Sequence, residues 1–129
     1  MEDISSFYPR LEGTQGERDT IAYITQQLDN DNIDYELQDI QIPRQIHSFS
    51  QNIIVRMEGT SRDTLLYLIP MNHPEGVSQN QDGSVNIAIG LSIIKELAHS
   101  ALDYSVEVVF LGAEFGDTAA YPLGTRRYL

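Results

Sequence analysis

The chain has 129 residues, 41% of them apolar, enough for one domain with its own core and not a disordered composition. Its 19 acidic residues outnumber the 8 basic ones for a net charge of −11, a surface that repels phosphate backbones and anionic lipid, so no nucleic-acid partner is expected. No apolar run approaches the ~20 residues of a bilayer span, so no membrane insertion is expected; Met1-Glu2-Asp3 opens without a secretory pattern, and the absence of cysteine removes disulfides, thiolate zinc sites and thiol nucleophiles.

Thr14-Gln15-Gly16-Glu17 has capping-box spacing: the hydroxyl can accept from a backbone N–H while Glu17 reaches back. Ile21, Ile24 and Leu28 follow at helical spacing and the polar run 29–32 stops them, which predicts a helix over 15–30. "IDYELQDIQI" (33–42) alternates and reads as a half-buried strand near a sheet edge, ended by Pro43. "NIIVRM" (52–57), turned by Glu58-Gly59, is a second strand. "TLLYLI" (64–69), stopped by Pro70, is apolar on both faces, the pattern of a strand inside a covered sheet. After a polar loop over 70–82 comes "SVNIAIGLSIIKELAHSAL". Its Val85, Ile87, Ile89, Leu91, Ile94 and Leu97 spread around most of a helix, the pattern of a buried one, and Asp82 or Ser84 is placed to cap it. "VEVVFL" (106–111) is a core-like fourth strand. Strand, buried helix and strand over ~45 residues make a crossover unit that joins a parallel pair. The expected fold is α/β: one three-layer αβα domain over 1–129, with a mixed, mostly parallel sheet of about four strands.

In open sheets of this kind, sites gather beyond the carboxyl ends of parallel strands. The third strand delivers Pro70-Met71-Asn72-His73, the fourth delivers Gly112-Ala113-Glu114-Phe115, and the start of the buried helix at 82–86 belongs beside both.

At these residues the chain resembles the zinc-dependent aminopeptidases of the bacterial leucyl aminopeptidase type, whose fold is shared by glutaminyl cyclases and the transferrin-receptor ectodomain. "RLEGTQGERDTIAYITQQL" is similar to the family's first helix and the Arg-x-x-Gly stretch before it. "NIIVRMEGT" resembles its strand ending in a Gly turn, and "GLSIIKELA" the helix after its metal-binding turn. "VVFLGAEFG…LGTRRYL" resembles the strand that carries its catalytic glutamate. The resemblance implies two neighbouring zinc ions that polarise a scissile carbonyl and activate a bridging water, held by His and carboxylate ligands. It places a zinc-binding His at Met71 and an orienting Asp at His73. It places the bridging Asp at Val85, beside Asn86, the general base at Glu114 and a ligand carboxylate at Phe115. The base position is kept, while Met71, Val85 and Phe115 are degenerate as ligands: valine and phenylalanine have no suitable donor, and a thioether suits a soft metal. The family's further ligands belong to a second half. The chain is therefore expected to be a fragment or a cut-down form of a longer family domain, and the third strand, by the family's 1-2-4-3 order, to be a free sheet edge.

His73 and Asp82 are ligand types in the right region and with Glu114 make an alternative single-zinc set. As residues, Asp82 reads as a helix cap, His73 as a surface or hydrogen-bonding side chain, and Glu114 either as a remnant base or as a carboxylate capping a helix that starts near Thr118. His47, His99 and the Arg126-Arg127 pair read as solvated. Ser84 has no nucleophile-elbow context. The expected function is a non-catalytic binding or structural module of aminopeptidase-like fold, without cofactor, with a protein or peptide partner. The alternative is a zinc aminopeptidase completed by residues outside this chain. A homodimer through the edge at 64–69 is expected unless the chain's own ends, 4–8 or 121–129, fold over it.

Overall fold

A computed structural model describes residues 4, 6–11, 13–42, 49–78, 82–116 and 122–129. Among them seven elements follow in chain order: α1 (Gln15–Asn30), β1 (Glu36–Gln41), β2 (Phe49–Met57), β3 (Thr64–Pro70), α2 (Ser84–Leu97), β4 (Ser105–Leu111) and α3 (Leu123–Tyr128). The first helix lies where its apolar spacing predicts. Its start differs in detail from a capping box: the Thr14 hydroxyl donates to the Leu11 carbonyl (2.6 Å), and Glu17 accepts the N–H of Gly13 (3.2 Å). Gly16 is required for a close approach, because a Cβ there would fall on the carbonyl oxygens of Phe7 and Pro9.

The strands form one mixed sheet in the order β1-β2-β4-β3. β1 pairs antiparallel with β2 and β2 antiparallel with β4, while β3 runs parallel to β4. The sheet is thus less parallel than expected. A parallel neighbour needs a crossover, and among the described residues α2 is the one helix that connects two strands of this sheet, so one of its pairings is parallel.

The period-2 alternation of β2 and β4 divides two cores. Ile53, Val55 and Met57 of β2 and Val106, Val108 and Phe110 of β4 face α1 and α2, where they meet Ile24, Leu28, Ile87 and Ile94. Ile54, Val109 and Leu111 face the other way, under Tyr128 of α3. The arrangement is therefore three-layered, with one layer a short helix. Tyr128 donates to Glu107 on β4, and burial together with that carboxylate pushes its phenol up to about 12.

Two apolar patterns misled the sequence reading. β3 is the edge strand that the 1-2-4-3 order implied and not the interior one its apolar pattern suggests, and Leu65, Leu66, Tyr67 and Leu68 are 51, 48, 44 and 43% exposed. Beside it α2 is not buried all round: Val85 and Ile89 are 48 and 52% exposed on the flank that overhangs β3. The pattern recorded what these residues would tolerate, not what this chain supplies to cover them.

One buried side chain joins both layers. Asn52 of β2 accepts the Gly112 N–H (3.0 Å) and donates to the carbonyl of Gly124 (2.9 Å) and to Gln38 (3.1 Å). Asn52→Ala strands the Gly112 N–H and the Gly124 carbonyl in the interior, so urea unfolding should show a loss of about 2 kcal/mol or more at unchanged m-value. A loss below about 0.5 kcal/mol would show that the tie contributes nothing.

Candidate functional site

The carboxyl ends of β3 and β4 lie side by side, as the crossover unit requires. Met71 extends the ladder by one residue, its N–H donating to Leu111 (2.8 Å), and its side chain is fully buried in the core. Asn72, which the sequence reading passed over, binds the facing strand end: its carbonyl accepts the N–H groups of Glu114 (2.9 Å) and Phe115 (3.2 Å), and its amide donates to the Phe115 carbonyl (2.9 Å).

Between them Ala113 takes the left-handed conformation (φ 46°), which costs an alanine about 1–2 kcal/mol. Its N–H is held by the Glu17 carboxylate (2.8 Å) and its carbonyl by the Leu123 N–H (3.2 Å). Glu17 is fully buried; burial raises its carboxyl above the ordinary value, and the N–H groups of Ala113 and Gly13 offset this only in part.

The Glu114 side chain is turned to α3. One oxygen accepts the Thr125 N–H (2.9 Å) and the other accepts the Thr125 hydroxyl. Thr125 is the third residue of α3, so the carboxylate sits on the positive end of a helix with unpaired N–H groups. Glu114 thus caps a helix that begins at Leu123; position 118 lies outside the described residues.

The centre of the region is Arg10, whose side chain is fully buried. Its guanidinium donates through Nε to the Met71 carbonyl (2.8 Å), through one terminal nitrogen to the Asp82 carboxylate (2.8 Å), and through the other to the Asp82 carbonyl (2.5 Å). The second Asp82 oxygen accepts the Ser84 N–H (3.0 Å), so the carboxylate both pairs an arginine and supports the start of α2. Gly83 between them is in the left-handed region (φ 82°), where a side chain would be strained. Burial pushes the Asp82 carboxyl up, but the Arg10 guanidinium and the Ser84 N–H outweigh it and hold the group below its ordinary value.

His73 is buried rather than on the surface, and stacks on Tyr8 with ring centroids 5.2 Å apart. Its Nε2 faces the Arg10 N–H (2.8 Å) and its Nδ1 faces the Pro74 carbonyl (2.9 Å). An N–H can only donate and a carbonyl can only accept, so the imidazole is neutral with its proton on Nδ1, and both nitrogens are engaged.

The remaining positions are plain. Val85 lies on the open flank of α2, and Phe115 is 39% exposed at the loop after β4. His99, Arg126 and Arg127 are exposed, and His47 lies outside the described residues. Among the described residues no three His, Asp or Glu side chains are grouped so as to hold a metal ion. His73 takes the backbone N–H of Arg10 and Asp82 its guanidinium, while Glu114 turns away to Thr125.

No family model matches the chain, and no curated protein does. Solved structures do match its fold. A glutaminyl cyclase of Porphyromonas gingivalis superposes with a TM-score of 0.80 at 18% identity, over 98% of this chain and 49% of that one. A leucine aminopeptidase precursor of Bacteroides thetaiotaomicron gives 0.75 at 14%, over 98% and 52%. A zinc-dependent exopeptidase of Parabacteroides distasonis gives 0.73 at 15%, over 97% and 51%. The chain has the α/β fold of these zinc-exopeptidase-like and glutaminyl cyclase structures and spans about half their length.

The Arg10–Asp82 pair generates a test with a definite sign. Asp82→Ala leaves a buried guanidinium without its counter-charge and should cost about 3–5 kcal/mol, whereas Arg10→Met with Asp82→Leu removes both charges and should cost less than either single change. The Asp82 carboxyl is depressed in the folded chain, so its contribution is full above the ordinary value of 3.8 and lost as pH falls through the lower folded value. The stability difference between the chain and Asp82→Asn should shrink over that acid range. A difference that stays constant down to unfolding would contradict the pairing.

Proposed function

We propose that this chain is a half domain of zinc-exopeptidase-like fold that holds no metal and serves as a binding or structural module rather than as a catalyst. The observation that carries the reading is the commitment of the ligand-type side chains at the strand ends to internal partners. Asp82 is used by Arg10 and Ser84, His73 by Arg10 and Pro74, Glu114 by Thr125, and Glu17 by Gly13 and Ala113. A zinc ion needs lone pairs from several such groups at once, and these residues do not fit one without first breaking the bonds that hold the fold. Val85 and Phe115 supply no donor, and the Met71 thioether is packed in the core. A general base at Glu114 has no activated water to deprotonate.

The second reading, a zinc aminopeptidase completed by residues outside this chain, is favoured by one observation: the matched structures are about twice as long. Added residues would bring ligands, but they would not alter Val85 or Phe115.

Calorimetric titration should find no stoichiometric zinc with a dissociation constant below about 1 μM, equivalent to roughly −8 kcal/mol. Assays with aminoacyl anilides and with peptides bearing an N-terminal glutamine should show no turnover. Zinc-dependent turnover abolished by Glu114→Gln would overturn the proposal.

A companion stability measurement separates the two roles of Glu114. As a cap, Glu114→Gln keeps an acceptor for the Thr125 N–H but loses the charge–dipole attraction and the acceptor for the Thr125 hydroxyl, together about 1 kcal/mol. Glu114→Ala should cost about 1–2 kcal/mol. Two variants that are both neutral would remove the cap from the account.

A further inference from the structure

The exposed edge of β3 has a regular chemistry. The Asp63 carbonyl accepts the Ser105 N–H (3.0 Å) and the Met71 N–H donates to Leu111 (2.8 Å), so the odd-numbered residues turn their backbone groups to β4. In an extended strand the even-numbered ones then turn theirs outward: Thr64, Leu66 and Leu68 each present an N–H and a carbonyl, and Pro70 a carbonyl alone. On one side of this ribbon lies an apolar groove of about 500 Å³ between β3 and α2, lined by Leu65, Tyr67, Val85, Ala88, Ile89 and Ile93.

We propose that a second copy of the chain closes this edge, with the two β3 strands antiparallel across a two-fold axis at Leu66. That register sets Thr64 opposite Leu68 of the partner subunit and Leu66 opposite Leu66 of the partner subunit. Every facing residue then has both backbone groups outward, and about six hydrogen bonds form. Pro70, which has no N–H to give, falls beyond the paired stretch. On the α2 face Leu65 meets Tyr67 of the partner subunit in the closely spaced type of pair, and on the other face the two Leu66 side chains meet.

Three observations favour a copy of this chain as the occupant. Leu65, Leu66, Tyr67, Leu68, Val85 and Ile89 are each about half exposed, so two copies together bury on the order of 1,000 Å², the lower bound of a specific interface. The stretch 64–70 carries no charge in a chain of net charge −11, so the repulsion that opposes self-association is weakest there. The opposite edge is guarded: β1 carries Glu36 and Asp39, and Arg127 donates to the Asp39 carbonyl (3.1 Å). With one edge open and the other guarded, pairing stops at two copies. Nor do the described residues of the chain ends cover β3: Ile4 packs in the core beside Tyr23 and Leu91, and α3 packs on β1 and β2.

Sedimentation velocity over a concentration series, with residue-resolved amide exchange, tests this. The expected result is a monomer–dimer equilibrium. At high concentration the Leu66 and Leu68 amides are protected; on dilution they open, while Leu65 and Tyr67 stay protected in both states. Leu66→Lys places two ammonium groups together at the axis and should weaken the dimer at least tenfold with an unchanged circular dichroism spectrum. Should that variant fail to fold, the exchange pattern of the parent chain decides alone. A monomer at about 100 μM, a dimer whose Leu66 and Leu68 amides exchange freely, or protection of those amides in the monomer would each overturn the proposal.

Discussion

The buried ion pair between Arg10 and Asp82 is the interaction on which the rest of this site depends. Placing two opposite charges in an interior stabilises a fold only when geometry is good and the remaining polar atoms are satisfied. Here the guanidinium uses three nitrogens on the Asp82 carboxylate, the Asp82 carbonyl and the Met71 carbonyl, and the free carboxylate oxygen takes the Ser84 N–H. The consequence is topological as much as energetic. One side chain ties the segment before α1 to the end of β3 and to the start of α2, across 61 and 72 residues of sequence. The Arg10 backbone N–H adds His73, and Gly16 lets α1 start close against the same segment.

A second polar tie runs in parallel. Glu17 holds the left-handed Ala113, Asn72 holds the next two residues, and Glu114 passes the connection to α3. In folds of this class the carboxyl ends of the strands are where ligands gather. Among the described residues, the polar side chains at this place are hydrogen-bonded to one another and to nearby backbone groups. Six of the eleven exposed large apolar side chains among the described residues lie elsewhere, along β3 and the overhanging flank of α2.

The local elements were legible because they rest on local rules. The Ile21-Ile24-Leu28 spacing gave α1, and the strand–helix–strand unit gave the parallel β3–β4 pair. The capping role of Asp82 was legible from its place just before a helix, while Glu114 read equally as a remnant base or as a cap, and the helix it caps starts at Leu123 rather than near 118. What could not be read was partnership at a distance. Nothing in "YPRLEG" marks Arg10 as fully buried, because arginine is rarely so and its partner lies 72 residues on. Asn72 and Glu17 were hidden for the same reason. The apolar run of β3 pointed in the opposite direction, to an interior strand, because residue type reports compatibility with burial; the edge position followed from the 1-2-4-3 order that the resemblance implied, which is the order the sheet has.

The central claim, that the polar groups at the strand ends are spent on the fold, is most directly tested at the His73 ring. A long-range proton–nitrogen correlation spectrum of the imidazole, recorded with and without excess zinc, reports which nitrogen carries the proton and whether either binds a metal. The expected spectrum is that of a neutral ring with its proton on Nδ1, its Nε2 accepting from the Arg10 N–H, and both signals unmoved by zinc. A ring protonated on Nε2, or a nitrogen signal shifted on addition of zinc, would contradict it.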